Sequence, residues 1–213
     1  MRRKDFYDYS LYVFDLDGTL YDQPKLRMTM ALRLMGYYIL HPHLVKDLFI
    51  LMHFRKVKDG WTEGASEEEI IKKVADDLHT DRKRAQSVIR KWIYEDPLNV
   101  LKKTRDDDLI SLISTLRKRG SKVVVWSDYP TRDKLEALAV EVDASFGPDD
   151  ERIDELKPSP KGLNVIMSTF GAKPSDVLMI GDRAEKDGAA AAAASVDYVI
   201  LPRSISRRKT DEI

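Results

Sequence analysis

Two carboxylates two residues apart, Asp15 and Asp17, close the apolar run Leu11-Tyr12-Val13-Phe14 and are followed by Gly18 and Thr19. An apolar, aromatic and β-branched run of this kind predicts a buried strand. Strand period is two, so both acids share a face if the strand continues. If the chain turns at Gly18, they are presented together at the strand's carboxyl end, where open α/β sheets bind ligands. Acids this close repel each other unless a cation or a shared proton lies between them. An Asp-Gly turn explains one acid but explains the second, and the Thr after it, poorly.

Three later stretches repeat the pattern of an apolar run followed by polar groups. Lys122-Val123-Val124-Val125-Trp126 ends in Ser127 and Asp128. The short run Ala144-Ser145-Phe146 is followed by Lys157. Asp176-Val177-Leu178-Met179-Ile180 ends in Gly181-Asp182, with Asp187 just beyond. On a parallel sheet these ends share one edge, so groups distant in sequence converge. Carboxylates from two strands make a hard, oxygen-rich cation site that suits Mg²⁺, which also bridges to phosphate oxygens. A lysine beside such acids offsets their charge or binds an anion, and a serine hydroxyl can donate to a phosphoryl oxygen. Taken singly, Ser127 reads as a helix cap, Lys157 as a solvated lysine before a proline, and Asp182 as the start of a turn. Only the joint pattern overturns those readings. His41, His43, His53 and His79 show no metal-ligand spacing and read as surface or packing residues.

The elements that must position these groups fall into two blocks. From Gln23 to Thr104 the periodicity is almost entirely helical: about Pro24 to Leu40, His43 to Lys56, a helix opened by a Ser66/Glu69 capping box, and one capped by Asp81 that ends at Asp96-Pro97. A loop from Lys58 to Ala65 separates the second helix from the third. From Asp106 onward helix and strand alternate, the mark of a parallel α/β sheet. Helices are expected from Asp106 to Gly120, Thr131 to Val140, Ser159 to Gly171 and Asp187 to Ala194, with a last strand at Asp197–Leu201 and a charged, fraying tail after Arg203. The expected fold is a Rossmann-like α/β core of residues 1–22 and 105–213, carrying an inserted helical bundle, residues 23–104.

Composition narrows the function classes. The 213 residues hold 36 Lys plus Arg against 36 Asp plus Glu, so no global field favours nucleic acid or an anionic membrane. An anionic substrate must be held by a local site. The absence of cysteine removes disulfides, thiol catalysis and Cys-based zinc sites. The basic start lacks the apolar stretch of a secretory signal, and no run nears the roughly 18 apolar residues of a membrane span. The protein is read as cytoplasmic.

In order along the chain, Asp15-Leu16-Asp17-Gly18-Thr19-Leu20, Ser127, Lys157-Pro158-Ser159-Pro160 and Gly181-Asp182 through Asp187 resemble the motifs of the haloacid dehalogenase (HAD) superfamily. The helical insert is similar to the α-helical cap of its phosphoglycolate phosphatase and β-phosphoglucomutase branches. The resemblance implies that Asp15 attacks phosphorus to form an aspartyl-phosphate and that Asp17 protonates the leaving oxygen, then takes a proton from water. It implies that Ser127 hydrogen-bonds the transferring group and that Lys157 offsets charge. Mg²⁺ would lie between Asp15, the Asp17 carbonyl and Asp182, with Asp187 nearby or bound to Lys157. Three residues depart from the pattern: Trp126 is bulky before the serine, the alanine run lacks the usual glycine, and Asp22-Gln23 replaces the frequent Asp-Ser.

The expected activity is Mg²⁺-dependent hydrolysis of a small phosphorylated metabolite by a monomer or homodimer. Dehalogenation lacks a proton-transfer acid two residues after the nucleophile, so Asp17 opposes it. A phosphomutase stays open, since the same acids could return the phosphoryl group to a sugar. A phospho-accepting signalling receiver usually places its acceptor on a later strand and has no inserted bundle, and a dead binding module usually lacks a reactive group. Substrate choice is expected in the cap, which closes over the site. There Arg55, Lys56 and Lys58, with Asp128 from the core, are candidates for binding the leaving group.

Overall fold

The computed structural model describes residues 4–60, 67–148, 150–153, 155–205 and 208. Five strands, β1 (Leu11–Phe14), β2 (Lys122–Trp126), β3 (Ala144–Phe146), β4 (Val177–Gly181) and β5 (Asp197–Ile200), form one sheet in the order β3-β2-β1-β4-β5. Every pairing is parallel. The register brings Phe14 level with Val125 on one side and Ile180 on the other. The residues after these three strands therefore emerge on one edge, as the sequence pattern requires.

Alternation along β1 feeds two cores. Tyr12 and Phe14, with Val123, Val125, Leu178 and Ile180, pack beneath α6 (Asp107–Lys118) and α7 (Arg132–Leu138). Leu11 and Val13, with Val124, Trp126 and Met179, pack beneath α8 (Lys161–Phe170) and the alanine helix α9 (Ala189–Ala193). Alanines let α9 lie close to the sheet, where Ala190 and Ala191 are fully buried.

Between β1 and α6 lie five helices: α1 (Gln23–Leu40), α2 (Asp47–Gly60), α3 (Glu67–Asp77), α4 (Arg82–Ile89) and α5 (Leu98–Leu101). Ile50 and Phe54 of α2, Ile70 and Val74 of α3, and Ala85 and Ile89 of α4 give this insert its own core. Its two connections to the sheet pair antiparallel at Tyr21 and Arg105, with Asp22 N–H donating to Thr104 O at 2.7 Å and Asp106 N–H to Leu20 O at 3.0 Å. Asp106 also caps α6 through its side chain, as its place before the apolar stripe predicts. No helix among the described residues is long and apolar enough to cross a membrane.

Several expected boundaries move. The second cap helix starts at Asp47, after a separate 3₁₀ turn at Pro42–Leu44, and runs on through Lys58 to Gly60. Lys58 therefore stands on a helix and not in a loop. The rest of that loop, Trp61 to Ala65, and the Ser66 end of the capping box lie outside the described residues. The helix capped by Asp81 stays α-helical only to Ile89 and continues as a π-helical stretch, Arg90–Glu95, before Pro97 opens α5. The helix expected from Asp187 begins at Ala189, because residues 184–188 form a π-turn that tucks Asp187 inward. Arg208, in the expected fraying tail, is buried against the core.

Candidate active site

Asp15 follows β1 with its N–H donating to Ile180 O at 2.8 Å, so the nucleophile candidate is still fixed by the sheet ladder. Its two carboxylate oxygens have different partners. Oδ2 accepts from the Thr19 hydroxyl at 3.0 Å, and Oδ1 from Lys157 Nζ at 2.7 Å. Lys157 Nζ also donates to Asp187 Oδ1 at 2.8 Å and to the Trp126 carbonyl at 2.9 Å. An ammonium has three protons and this one has three acceptors, so its position is fully specified. Burial disfavours the charged lysine, but Asp15 and Asp187 outweigh burial and hold it protonated. Burial pushes the Asp15 carboxyl up to about 8, with Asp187 and Asp17 adding to the rise and Lys157 opposing it.

The bulk of Trp126 has a structural counterpart. A Cβ on Gly162 would stand 2.3 Å from the indole, so glycine at the start of α8 makes room for the ring. That ring lies 4.6 Å from Lys157 Nζ and forms one wall of the lysine's pocket.

Asp182 lies at the carboxyl end of β4. Both its carboxylate oxygens are buried without a hydrogen bond, and Arg203 Nε approaches one of them at 3.3 Å. Burial raises its carboxyl to about 6, with Asp187 contributing. Oxygens of Asp15, Asp182 and Asp187 all lie within 4.8 Å of one another. Gly18 closes this group from below: its φ is +101°, and a Cβ there would be 2.6 Å from Asp182 Oδ2. Unsatisfied buried oxygens beside two further acids are what a divalent cation would neutralise, and an all-oxygen donor set fits Mg²⁺.

The Asp17 side chain turns away from this acid group. Its Oδ1 accepts from the Tyr21 hydroxyl at 2.5 Å and from Lys134 Nζ, and its Oδ2 accepts from Ser127 Oγ at 2.9 Å. Burial works against the charged carboxylate, yet the Lys134 charge and these hydrogen bonds overcome it and hold the group below its usual range. Ser127, expected to face a transferring group, spends its proton on Asp17 and accepts from Tyr129 N–H at 3.1 Å. Asp128 accepts from Lys157 N–H at 3.0 Å and from Lys186 Nζ at 3.3 Å, which ties together three loops of the site.

Asp15, Asp17, Ser127, Asp128, Lys157 and Asp187 floor a cavity of about 160 Å³ between the sheet edge and the insert. Arg55 and Lys58 of α2 line it together with Arg27 of α1, and Leu26, Met30 and Trp92 supply an apolar side. Arg55 is exposed, whereas Lys58 is buried with its Nζ 3.8 Å from the centre of the Tyr129 ring. Burial lowers the Lys58 ammonium to about 8, against the pull of Glu67 and Asp128. Lys134, Tyr21 and Tyr129 were not singled out from the sequence. Lys134 carries no local sign of its role, since a lysine early in an amphipathic helix reads as solvated. Tyr21 and Tyr129 lie four and two residues from site groups, which is the only hint they give.

The sequence matches the haloacid dehalogenase-like hydrolases over residues 9–195. The chain belongs to that family. Its fold is that of other HAD proteins. A 2-haloacid dehalogenase from Pseudomonas syringae pv. Tomato DC3000 superposes with a TM-score of 0.64 at 16% identity, over 91% of this chain and 86% of that one. A predicted phosphoglycolate phosphatase from Haemophilus somnus 129PT gives 0.62 at 18% identity, over 94% and 88%. The candidate HAD-hydrolase YfnB from Bacillus subtilis, solved bound to magnesium, gives 0.62 at 16% identity, over 91% and 88%. At these identities the likeness is one of fold. No curated protein matches the sequence.

Proposed function

We propose that this HAD-like hydrolase is a phosphatase that removes phosphate from a small phosphorylated metabolite through an aspartyl-phosphate on Asp15. The observation that carries the reading is Asp15 itself. It is a buried carboxyl group aligned by Thr19 and Lys157, which a cation bound among the acids would ionise for attack against the burial that raises it to about 8, with Asp17 two residues on in a proton-handling position. In the first half-reaction an Asp15 oxygen attacks phosphorus, the bond to the leaving oxygen breaks, and Asp17 supplies a proton to that oxygen. In the second, Asp17 takes a proton from water, which attacks the acyl-phosphate and frees Asp15 and inorganic phosphate. Asp17 is held ionised without substrate. The negative charge of an arriving phosphate opposes Lys134 and favours the protonation that the first half needs. Ser127 and Tyr21 keep the carboxylate aimed throughout.

Asp15, Asp182 and Asp187 would hold Mg²⁺, with the Asp17 carbonyl as a further donor. The ion would supply positive charge where the nucleophile meets an anionic phosphate. Lys157 adds positive charge beside Asp15 and Asp187. Residues 23–104 act as the cap domain over a core of residues 1–22 and 105–213. The cap's Arg55 and Lys58 face the leaving group, and the small cavity favours a compact metabolite over a polymer. Asp17 weighs against dehalogenation, which needs no proton donor at that position.

The test is hydrolysis of p-nitrophenyl phosphate by the whole chain with and without Mg²⁺. Asp15→Asn is expected to abolish turnover while circular dichroism and Tm stay near wild type. Hydrolysis by that variant at the wild-type rate overturns the assignment of the nucleophile.

A further inference from the structure

Arg208 lies thirteen residues beyond the part of the chain that matches the family, which ends at 195. Its side chain is nonetheless only 5% exposed. Four of its five guanidinium N–H groups have acceptors. Nη2 donates to Gly18 O at 2.7 Å, and Nη1 donates both to Thr19 O at 2.7 Å and to Asp106 Oδ2 at 2.6 Å. Nε donates to Pro202 O at 2.8 Å, which ties the head of the side chain back to the end of β5.

The places it grips are connected to the chemistry. Thr19 offers its carbonyl to Arg208 and its hydroxyl to Asp15 Oδ2, so one residue stands between the guanidinium and the nucleophile. Gly18, the other carbonyl acceptor, lies against Asp182 with no room for a side chain. Asp106 belongs to the second linker of the cap and accepts Arg208 at the root of the short ladder formed by Leu20, Tyr21, Asp22 and residues 104–106. A planar five-donor fork holds Gly18 O, Thr19 O and Asp106 Oδ2 while its Nε reaches a fourth acceptor, Pro202 O; an ammonium has only three protons, all on one nitrogen. A second tail arginine, Arg203, pairs with Asp182 at 3.3 Å on the far side of the same loop.

We propose that Arg208 is a positioning residue that clamps the nucleophile loop to the linker joining the helical insert to the core. The clamp fixes Thr19, and through it Asp15, relative to the linker on which the cap moves. The catalytic half of this inference rests on Asp15 being the nucleophile; the structural half does not.

The experiment uses the full chain carrying Arg208→Ala, Arg208→Lys or Asp106→Asn. Asparagine keeps the α6 cap but removes the charge that Arg208 meets. Hydrogen–deuterium exchange by mass spectrometry needs no activity. In Arg208→Ala it is expected to quicken roughly tenfold in peptides spanning 15–22 and 104–110, while the β2 and β4 peptides hold their wild-type rates. With p-nitrophenyl phosphate, kcat is expected to fall roughly tenfold with KM changed less than about threefold. Lysine should restore less than half of kcat, and Asp106→Asn should give a smaller fall of the same kind. Unchanged exchange in those two segments, acceleration spread evenly over the molecule, or a kcat within twofold of wild type in Arg208→Ala each overturns the proposal. If wild type itself fails to turn over the ester, the exchange data still decide the clamp, so the two readings fail separately.

Discussion

At the scale of single residues the site depends on who stands next to Lys157. Its three protons are shared among Asp15, Asp187 and the Trp126 carbonyl, and the Trp126 ring walls it in. Trp126 in turn fits only because Gly162 presents no Cβ. Gly162→Ala is therefore expected to overpack this pocket at a cost of about 1–3 kcal/mol, read as a Tm lower by several degrees. It should also reduce kcat, because the ring that must shift to relieve the clash lies 4.6 Å from Lys157 Nζ. Combining it with Trp126→Leu should recover most of the Tm. A Gly162→Ala protein as stable and active as wild type would show that the ring has room to spare. The convergence of Asp15, Asp17, Ser127, Lys157 and Asp182 at one edge of the sheet was legible in the sequence because each ends or follows an apolar run. Lys134 and Tyr21 were not: their role arises when the start of α7 folds over the end of β1, and no local pattern encodes that meeting.

At the scale of elements, α2 reaches from the cap to the core. Its last turn carries Lys58, whose Nζ lies over the Tyr129 ring, while Lys134 approaches the same ring at 4.9 Å from the core side. Reading Lys58 as a loop residue placed it near solvent; the helix continues to Gly60 and buries it. The boundary is not legible in the sequence because the helix's end is marked by burial of Lys58 against Tyr129, not by a cap or periodicity inside it. The π-helical stretch after Ile89 likewise has no local signal; within it Trp92 is buried and packs edge-on against Tyr37 of α1. A buried ammonium lowered to about 8 has a definite pH signature. Below pH 8 Lys58 is charged and can attract an anionic leaving group; above it the charge is lost. KM for a charged metabolite ester is expected to rise as pH passes 8, with kcat less affected, and Lys58→Ala should raise KM and flatten that rise. The folding linkage has the opposite sign. The unfolded lysine keeps its proton to about 10.5, so between 8 and 10.5 the unfolded chain binds more protons and stability increases with pH. Lys58→Ala and Arg55→Ala with unaltered kcat and KM at pH 7 would remove both side chains from substrate binding.

At the scale of the whole molecule, the parallel sheet brings carboxylates from β1 and β4 to one edge, and the folded state bears their mutual repulsion. Lys157 offsets part of it, and Arg203 reaches only one oxygen of Asp182. The unfolded chain has no such cluster, because residues 15, 182 and 187 meet only through the register of the sheet. A cation that binds the three acids therefore binds the folded state alone and must stabilise it. At a concentration of 100 times its Kd, Mg²⁺ is expected to add about 2.7 kcal/mol, a rise in Tm on the order of 5–10 °C for a chain of this length. EDTA should reverse the rise, and K⁺ at equal ionic strength should not reproduce it, which separates a built site from general screening. Asp182→Asn removes one charge and one ligand together. It is expected to raise the metal-free Tm, since the repulsion falls, and to abolish the Mg²⁺-dependent increment. A Tm that answers Mg²⁺ equally in wild type and Asp182→Asn would place the ion elsewhere on the protein.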